Sequence, residues 1–197
     1  MLMRGGAVNP YKISKINKFD NKNYGILGES GCGKTTLLRT IAGLTKPLSG
    51  EVLVDGVKIN KPNKNDIYML HQNYTSFDWL TCLDNILIAK KIQGNITTED
   101  IINAQQMLEA VKLGKDANKY PRQLSGGMRQ RLALARTLFV NPKILLMDEP
   151  LSALDEKTRS KMQDLIVDIH KRTNNTILMV THSIDEANKM CDEIIKL

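Results

Sequence analysis

A glycine-rich stretch in the first third of the chain has the residue types and spacing needed to bind phosphate. It fits the pattern Gly-x-x-x-x-Gly-Lys-Ser/Thr and comprises Gly28, Glu29, Ser30, Gly31, Cys32, Gly33, Lys34, Thr35 and Thr36. Glycines let several backbone N–H groups point at one anion, and the start of a helix favours negative charge. In this pattern the lysine reaches the terminal phosphates of a nucleotide and the next hydroxyl faces Mg²⁺. We therefore predict a nucleotide-binding loop, with Lys34 also catalytic and Thr35 also a metal ligand.

Two carboxylates directly follow an apolar run later in the chain. Asp148 and Glu149 come after Ile144–Met147, which has the composition of a buried parallel strand. Open α/β sheets bind ligands at the carboxyl ends of their strands. We assign Asp148 to Mg²⁺ and Glu149 to the general base that polarises an attacking water. The alternative is that both acids only cap or solvate a turn.

A second candidate anion site lies at the start of another predicted helix. Ser125, Gly126 and Gly127 offer a hydroxyl, unobstructed amides and the positive end of a helix. Serine and glycine are also ordinary helix starters, so this stretch alone is weak evidence. Since the phosphate loop already accounts for one nucleotide, a second anion site needs a different role.

The elements that must position these residues alternate between strands and helices. Strands are predicted at 24–27, 66–70, 143–147, 176–180 and 193–197, with a hairpin over 51–59 that turns at Asp55-Gly56. Helices are predicted after the phosphate loop, within 80–114, and at 126–140, 156–172 and after 183. Thr97 or Thr98 is predicted to cap one helix, and Ser183 with Glu186 to form a capping box on the last. This alternation predicts an α/β fold with a mainly parallel sheet.

Length and composition bound the remaining possibilities. The chain has 197 residues, 42% hydrophobic and 25% charged, which suits one globular domain. We expect a cytoplasmic protein, since no apolar run approaches the roughly 18 residues that span a bilayer and the start lacks a secretory signal. The net charge of +7 comes from scattered lysines, so no nucleic-acid partner is expected. The three cysteines lack metal-type spacing and are predicted to be reduced thiols.

The order of these motifs resembles the ATP-binding subunit of an ATP-binding-cassette (ABC) transporter. The motifs are the phosphate loop, Gln72, Leu124–Gly127, Asp148–Glu149, Ser152–Asp155 and His182. The resemblance implies a P-loop NTPase core within one ABC ATPase domain over residues 1–197. It also implies a helical subdomain at about 80–140 and a small antiparallel β lobe.

The same resemblance implies roles for the remaining motif residues. Two copies of the chain would pair head to tail and enclose two ATP molecules with Mg²⁺. Ser125 and Gly127 of one copy would then face the phosphate loop of the other. Gln72 corresponds to the glutamine that contacts Mg²⁺ and the attacking water. His182 corresponds to the histidine that contacts the γ-phosphate, and Asp155 to an interface residue that helps to form the nucleotide site.

The segment Phe77–Asn85 resembles importers of nitrate, sulfonate or taurine-like solutes. That resemblance implies transmembrane permease subunits and a solute-binding protein as partners, and a place at the cytoplasmic face of the membrane. For Trp79 two interpretations remain open. It is either an anchor in the hydrophobic core or part of a groove that receives a helix of the membrane partner.

Two other functions are compatible with the motifs. One is a soluble ABC ATPase that acts on ribosomes or DNA. The other is a nucleotide-binding module that has lost its adenine site, because the N-terminus is irregular and Tyr11, the candidate to stack on adenine, is spaced too close to the phosphate loop for the resemblance. The resemblance places the contacts with the transported substrate in other subunits.

Overall fold

A parallel five-stranded sheet forms the centre of the computed structural model, which describes residues 21–63, 66–71, 76–94 and 96–197. Its strands are β1 (Asn23–Leu27), β4 (Ile67–Leu70), β5 (Ile144–Asp148), β6 (Thr176–Thr181) and β7 (Glu193–Lys196). They lie in the order β4-β5-β6-β1-β7, and every neighbouring pair is parallel. Strands β2 (Leu53–Val54) and β3 (Val57–Lys58) form a separate antiparallel hairpin.

Six α-helices connect or flank these strands in the described part of the chain. They are α1 (Lys34–Ile41), α2 (Cys82–Gln93), α3 (Thr98–Ala110), α4 (Gly126–Val140), α5 (Glu156–Thr173) and α6 (Ile184–Met190). Two short 3₁₀ turns, Gly114–Asp116 and Pro121–Gln123, join α3 to α4. None of the described helices is both long enough and apolar enough to cross a membrane.

The sheet is covered on both faces. Every residue of β1, β5 and β6 is buried, as expected for parallel strands with continuous apolar sequence. One hydrophobic cluster joins the sheet to helices α2 to α5, and a second joins it to α1 and the hairpin. The predicted α/β architecture with a small antiparallel element is therefore confirmed. The helical subdomain proposed for about 80–140 contains α2, α3 and α4, but its status as a separate unit stays a prediction.

The strand register brings three loops to one edge of the sheet. Leu27, the last residue of β1, pairs with Thr181, the last residue of β6. Asp148, the last residue of β5, pairs with Val180. The segments that follow β1, β5 and β6 therefore leave the sheet side by side, and they carry the phosphate loop, Glu149 and His182.

The structure confirms the turn and the helix caps predicted from local sequence, with one exception. The hairpin turns at Asp55 and Gly56, both with positive φ, as a two-residue Asp-Gly turn requires. Thr97, rather than Thr98, caps α3 in a reciprocal capping box. The predicted capping box at Ser183 is wrong in its second half. Ser183 Oγ accepts from the Glu186 amide, but the Glu186 carboxylate accepts instead from the Thr181 hydroxyl at 2.5 Å.

Candidate nucleotide-binding site

The phosphate loop, residues 28–36, runs directly from β1 into α1. Gly31 and Gly33 have φ angles of 81° and 101°, which glycine adopts without the steric cost that a side chain would bring. Helix α1 then begins at Lys34 without a side-chain cap. The first amides of α1 have no acceptor within the helix, so the loop presents unpaired donors and a positive helix end to a bound anion.

The Lys34 side chain is folded over this loop. Its ammonium nitrogen donates to the carbonyl oxygens of Gly28 at 2.7 Å and Glu29 at 2.8 Å. The residue is only 7% exposed. The backbone passes so close to Cys32 that a Cβ at Gly28 would lie 2.6 Å from the Cys32 sulfur. Lys34 is thus held beside the amides that would surround a phosphate.

Asp148 is buried at the end of β5, beside the phosphate loop. It is 2% exposed, and burial raises the pKa of its carboxyl above the ordinary value. A hydrogen bond from Thr35 and the nearby charges of His71 and Lys34 oppose this rise in pKa, while Glu149 adds to it. Burial makes the negative charge of Asp148 energetically unfavourable, and a bound cation would offset this. The carboxylate and the Thr35 hydroxyl are oxygen ligands, which a hard cation such as Mg²⁺ prefers.

The protein groups supply only part of a magnesium coordination sphere. No group of three or more acidic, histidine or cysteine side chains that could hold a metal exists among the described residues. Mg²⁺ commonly takes one or two protein oxygens and completes its shell with water and substrate phosphates. The Thr35 hydroxyl and the Asp148 carboxylate therefore fit Mg²⁺ carried by a nucleotide. The other predicted ligand, Gln72, lies outside the described residues.

Glu149 follows Asp148 in an unusual backbone conformation. Its φ is 49°, a region that non-glycine residues adopt at an energetic cost and that is common at functional sites. Its amide donates to the Val180 carbonyl at 3.0 Å, and its own carbonyl accepts from the Ser152 hydroxyl at 3.2 Å. One carboxylate oxygen lies 3.7 Å from Nδ1 of His182.

Glu149 and His182 line one small cleft. Its volume is about 90 Å³, and it is lined by Glu149, Leu151, Ser152, Arg159, Thr181, His182, Ser183 and Glu186. The Thr181 hydroxyl donates to Glu186 and accepts from the Ser183 amide at 3.1 Å, which fixes the turn that carries His182. The described structure therefore brings Lys34, Thr35 and Asp148 together, with Glu149 and His182 next to them.

The other predicted site residues form a separate group. Ser125 caps α4 by accepting from the Met128 amide at 3.3 Å, and Asp155 caps α5 by accepting from the Thr158 amide at 2.9 Å. The Thr158 hydrogen bonds hold the pKa of Asp155 below its ordinary value. No hydrogen bond or ion pair joins residues 125–127 to the phosphate loop within the described ranges. Ser125, Gly126 and Asp155 are exposed to solvent.

Comparison with known proteins identifies the family. The sequence profile of the ABC transporter family matches residues 15–152. MJ0412, an ABC transporter ATP-binding protein of Methanocaldococcus jannaschii, is 40% identical over 193 residues, which are 98% of this chain and 72% of its own length. The chain belongs to the ABC transporter family.

Other ABC relatives extend the comparison. The nitrate import ATP-binding protein NrtD of Synechocystis is 45% identical over 161 residues, 82% of this chain and 60% of its own length. The taurine import ATP-binding protein TauB of Ruegeria pomeroyi is 38% identical over 186 residues, 94% of this chain and 69% of its own length. The chain thus spans 60% to 72% of the length of these relatives.

Solved ABC cassettes share the fold. A dimeric post-hydrolysis structure of the ATP-binding cassette MJ0796, bound to ADP and Pi, superposes with a TM-score of 0.81 at 35% identity. The match covers 90% of this chain and 82% of that one. The predicted ABC ATPase fold is confirmed.

The structure corrects one interpretation of the importer-like segment in this ABC cassette. Trp79 is 73% exposed, so it is not an anchor in the hydrophobic core. Its ring lies 5.4 Å from that of Phe77, and the Arg136 guanidinium sits 5.1 Å from the centre of the Phe77 ring. The buried amide of Asn85 donates to the carbonyls of residues 77, 80 and 81 and accepts from the Phe77 amide. The segment is therefore a braced loop that presents Trp79 to solvent.

Sequence reasoning missed several side chains that position the ABC motifs. Gln130 is buried between α4 and the loop that follows Glu149. Arg159 donates to two carbonyls of the same loop, that of Leu151 at 3.4 Å and that of Leu154 at 2.7 Å. A glutamine among the mostly apolar buried positions of α4 is the one signal that was available for Gln130. Tyr11, the candidate for adenine stacking, lies outside the described residues.

Proposed function

We propose that this chain is the ATP-binding and ATP-hydrolysing subunit of a membrane ABC transporter that imports a small solute. The observation that carries the proposal is the juxtaposition of Lys34, buried Asp148 and the Glu149–His182 pair at one edge of the sheet. Membership of the ABC transporter family and the import functions named for NrtD and TauB support it.

The phosphate loop binds the nucleotide in this proposal. The unpaired amides at the start of α1 receive the phosphate oxygens, and Lys34 exchanges its contacts with loop carbonyls for contacts with the terminal phosphates. Thr35 and Asp148 would hold Mg²⁺, with Gln72 as a further ligand. When bound, the ion neutralises charge on the phosphates during transfer.

Glu149 and His182 act on the terminal phosphate. The Glu149 carboxylate orients the attacking water and accepts its proton, because it lies next to the metal-binding carboxylate at the strand end. His182, 3.7 Å from Glu149, contacts the γ-phosphate. The left-handed backbone at Glu149 directs this side chain away from the position that a regular continuation of β5 would give it.

Completion of the site requires a second copy of the chain. Ser125, Gly126 and Gly127 form an exposed helix start, and no hydrogen bond joins them to the phosphate loop of their own chain within the described residues. In a head-to-tail dimer they would contact the γ-phosphate held by the partner, with Asp155 at the same interface. The dimeric state of the similar cassette MJ0796 supports this arrangement.

The braced loop at Trp79 is proposed to contact the permease. An exposed tryptophan on a loop held by buried hydrogen bonds offers a large, preorganised apolar surface, which is typical of interface anchors. A permease and a solute-binding protein are the partners that an importer requires, and contact with the permease would place this chain at the cytoplasmic face of the membrane.

The Glu149→Gln variant tests the proposed function. Glutamine keeps the size and hydrogen-bonding reach of the side chain but cannot accept a proton, so turnover should fall about 10²- to 10⁴-fold. ATP binding, measured by equilibrium titration, should persist, and ATP should drive the variant into dimers detectable by light scattering. Glu156→Gln, an exposed acid at the start of α5, is the matched control. Near-normal turnover by Glu149→Gln would refute the assignment.

A further inference from the structure

One buried amide connects the start of α4 to the loop formed by residues 149–155. Gln130 has no solvent-exposed surface. Its Nε2 donates to the Pro150 carbonyl at 2.6 Å, and its Oε1 accepts from the Ala153 amide at 3.2 Å. Both ends of the side chain are thus used on the same loop, 20 and 23 residues away along the chain.

The two elements that Gln130 connects carry different halves of the proposed site. Helix α4 begins next to Ser125, which caps it, and the 149–155 loop begins with Glu149 and ends with Asp155. The helix start and the loop also touch at Gly127, where a Cβ would lie 3.5 Å from the Ala153 carbonyl oxygen. Arg159 makes separate hydrogen bonds to the carbonyls of Leu151 and Leu154 in the same loop.

The hydrogen bonds of Gln130 constrain the backbone next to Glu149. Pro150, whose carbonyl accepts from Gln130, is bonded directly to the left-handed Glu149. Such an unfavourable backbone conformation persists only where several surrounding contacts hold it in place. A short hydrogen bond from a buried side chain to the next carbonyl is a constraint of that kind.

We propose that Gln130 is a positioning residue that couples the orientation of Glu149 to that of Ser125 in the same chain. The proposal rests on the proposed function. In the dimer, Glu149 would serve the chain's own ATP and Ser125 would serve the partner's ATP. A displacement of either element is therefore transmitted to the other nucleotide site through one amide side chain.

Two substitutions of Gln130 separate its hydrogen bonds from its volume. Gln130→Met keeps the length of the side chain but makes neither hydrogen bond. Gln130→Glu makes both when protonated, since a neutral carboxyl group donates through its hydroxyl and accepts through its carbonyl oxygen. When ionised it cannot donate to Pro150. Burial raises the pKa of a carboxyl group, so the carboxyl introduced by Gln130→Glu should ionise at a pH above the usual range for glutamate.

The expected result is a pH dependence that only one variant shows. Relative to the wild-type chain, Gln130→Glu should approach normal kcat at low pH and lose it as the pH rises. Gln130→Met should be slowed about 10- to 100-fold at every pH, because a misplacement of about 1 Å costs up to about 100-fold. The apparent KM for ATP should change less than about threefold in both. Thr137→Val, which removes a buried hydrogen bond within α4, is the control and should show none of these effects.

Hydrogen exchange supplies a readout that does not need ATPase activity. The Ala153 amide should be protected in the wild-type chain and in Gln130→Glu at low pH. It should exchange faster in Gln130→Met, together with the first turn of α4, while α1 keeps its protection. If the wild-type chain hydrolyses no ATP, the proposed function fails, and exchange at Ala153 still decides whether Gln130 ties the loop to the helix.

Two results would overturn the role of Gln130. The first is wild-type kcat in Gln130→Met, which would show that the hydrogen bonds do not position Glu149. The second is an equal, pH-independent loss in both variants with uniformly faster exchange throughout the chain. That result would show a general loss of stability rather than a coupling between two elements.

Discussion

Replacement of Lys34 by methionine tests the nucleotide site in two states of the protein. Lys34→Met keeps most of the apolar stem but removes the ammonium group. In the structure that group donates two hydrogen bonds to loop carbonyls, at 2.7 and 2.8 Å. In the nucleotide-bound protein the same group is proposed to contact the terminal phosphates. The substitution should therefore lower both the intrinsic stability and the stabilisation by ATP.

The magnitude follows from the contacts of Lys34. A hydrogen bond to a charged group contributes about 1.5 to 3 kcal/mol. Release of a buried ammonium group offsets part of this, so the net loss from both bonds should be about 1 to 2 kcal/mol. For a chain of 197 residues, a change of 1 kcal/mol shifts Tm by about 2 to 4 °C. The nucleotide-free variant should therefore unfold about 2 to 8 °C lower.

Thermal unfolding with and without ATP measures both effects. At 100 times its Kd, ATP should stabilise the wild-type chain by about 2.7 kcal/mol, and the variant at the same concentration by much less. Lys91→Met is the control, since Lys91 pairs with Asp84 at 2.5 Å on the surface. Such pairs contribute about 0 to 1 kcal/mol. That control should respond to ATP like the wild-type chain.

Each outcome has a distinct meaning for Lys34. An unchanged Tm for the nucleotide-free variant would contradict the structural role of the two carbonyl contacts. A normal ATP-induced rise in Tm would contradict the assignment of Lys34 to the phosphates, even if the nucleotide-free protein were destabilised as expected.

Three further predictions follow from burial and exposure. Asp148→Asn should raise the Tm of the chain without nucleotide at neutral pH, because the raised pKa of Asp148 means that its ionised form destabilises the fold. This gain in Tm should shrink as the pH falls through the folded-state pKa of Asp148. Turnover that depends on Mg²⁺ should be lost. If the Tm difference between Asp148→Asn and the wild-type chain grew on acidification, the predicted direction of the pH effect would be wrong. Burial raises the pKa of Cys82 to about 11 and that of Cys191 to about 12, so at pH 8 these two form little of the reactive thiolate. A thiol reagent at this pH should therefore rapidly label one cysteine, Cys32. Bound ATP should slow that labelling. Rapid labelling of two or three thiols would be the contrary result. Trp79→Ser should leave basal ATPase activity unchanged but weaken co-purification with the permease; undiminished capture would argue against contact at this loop.

The sequence by itself determined the candidate nucleotide site and much of the local structure. Spacing alone predicted the phosphate loop, because the glycines and Lys34 lie within one strand–loop–helix segment. The helix over 126–140 and the turn at Asp55 followed from signals contained in a few adjacent residues. The fold class followed from the alternation of apolar strands and helices. These features depend on interactions between near neighbours along the chain.

The tertiary structure alone decided how distant segments meet. The strand order places β6 between β1 and β5, and so brings His182 to Glu149 although 33 positions in the numbering separate them. It also assigns the Glu186 carboxylate to Thr181 rather than to a helix cap, and it leaves Trp79 in solvent. Gln130 bonds a loop some 20 residues away. No local pattern specifies such contacts, because their partners become neighbours only when the sheet and the helices pack.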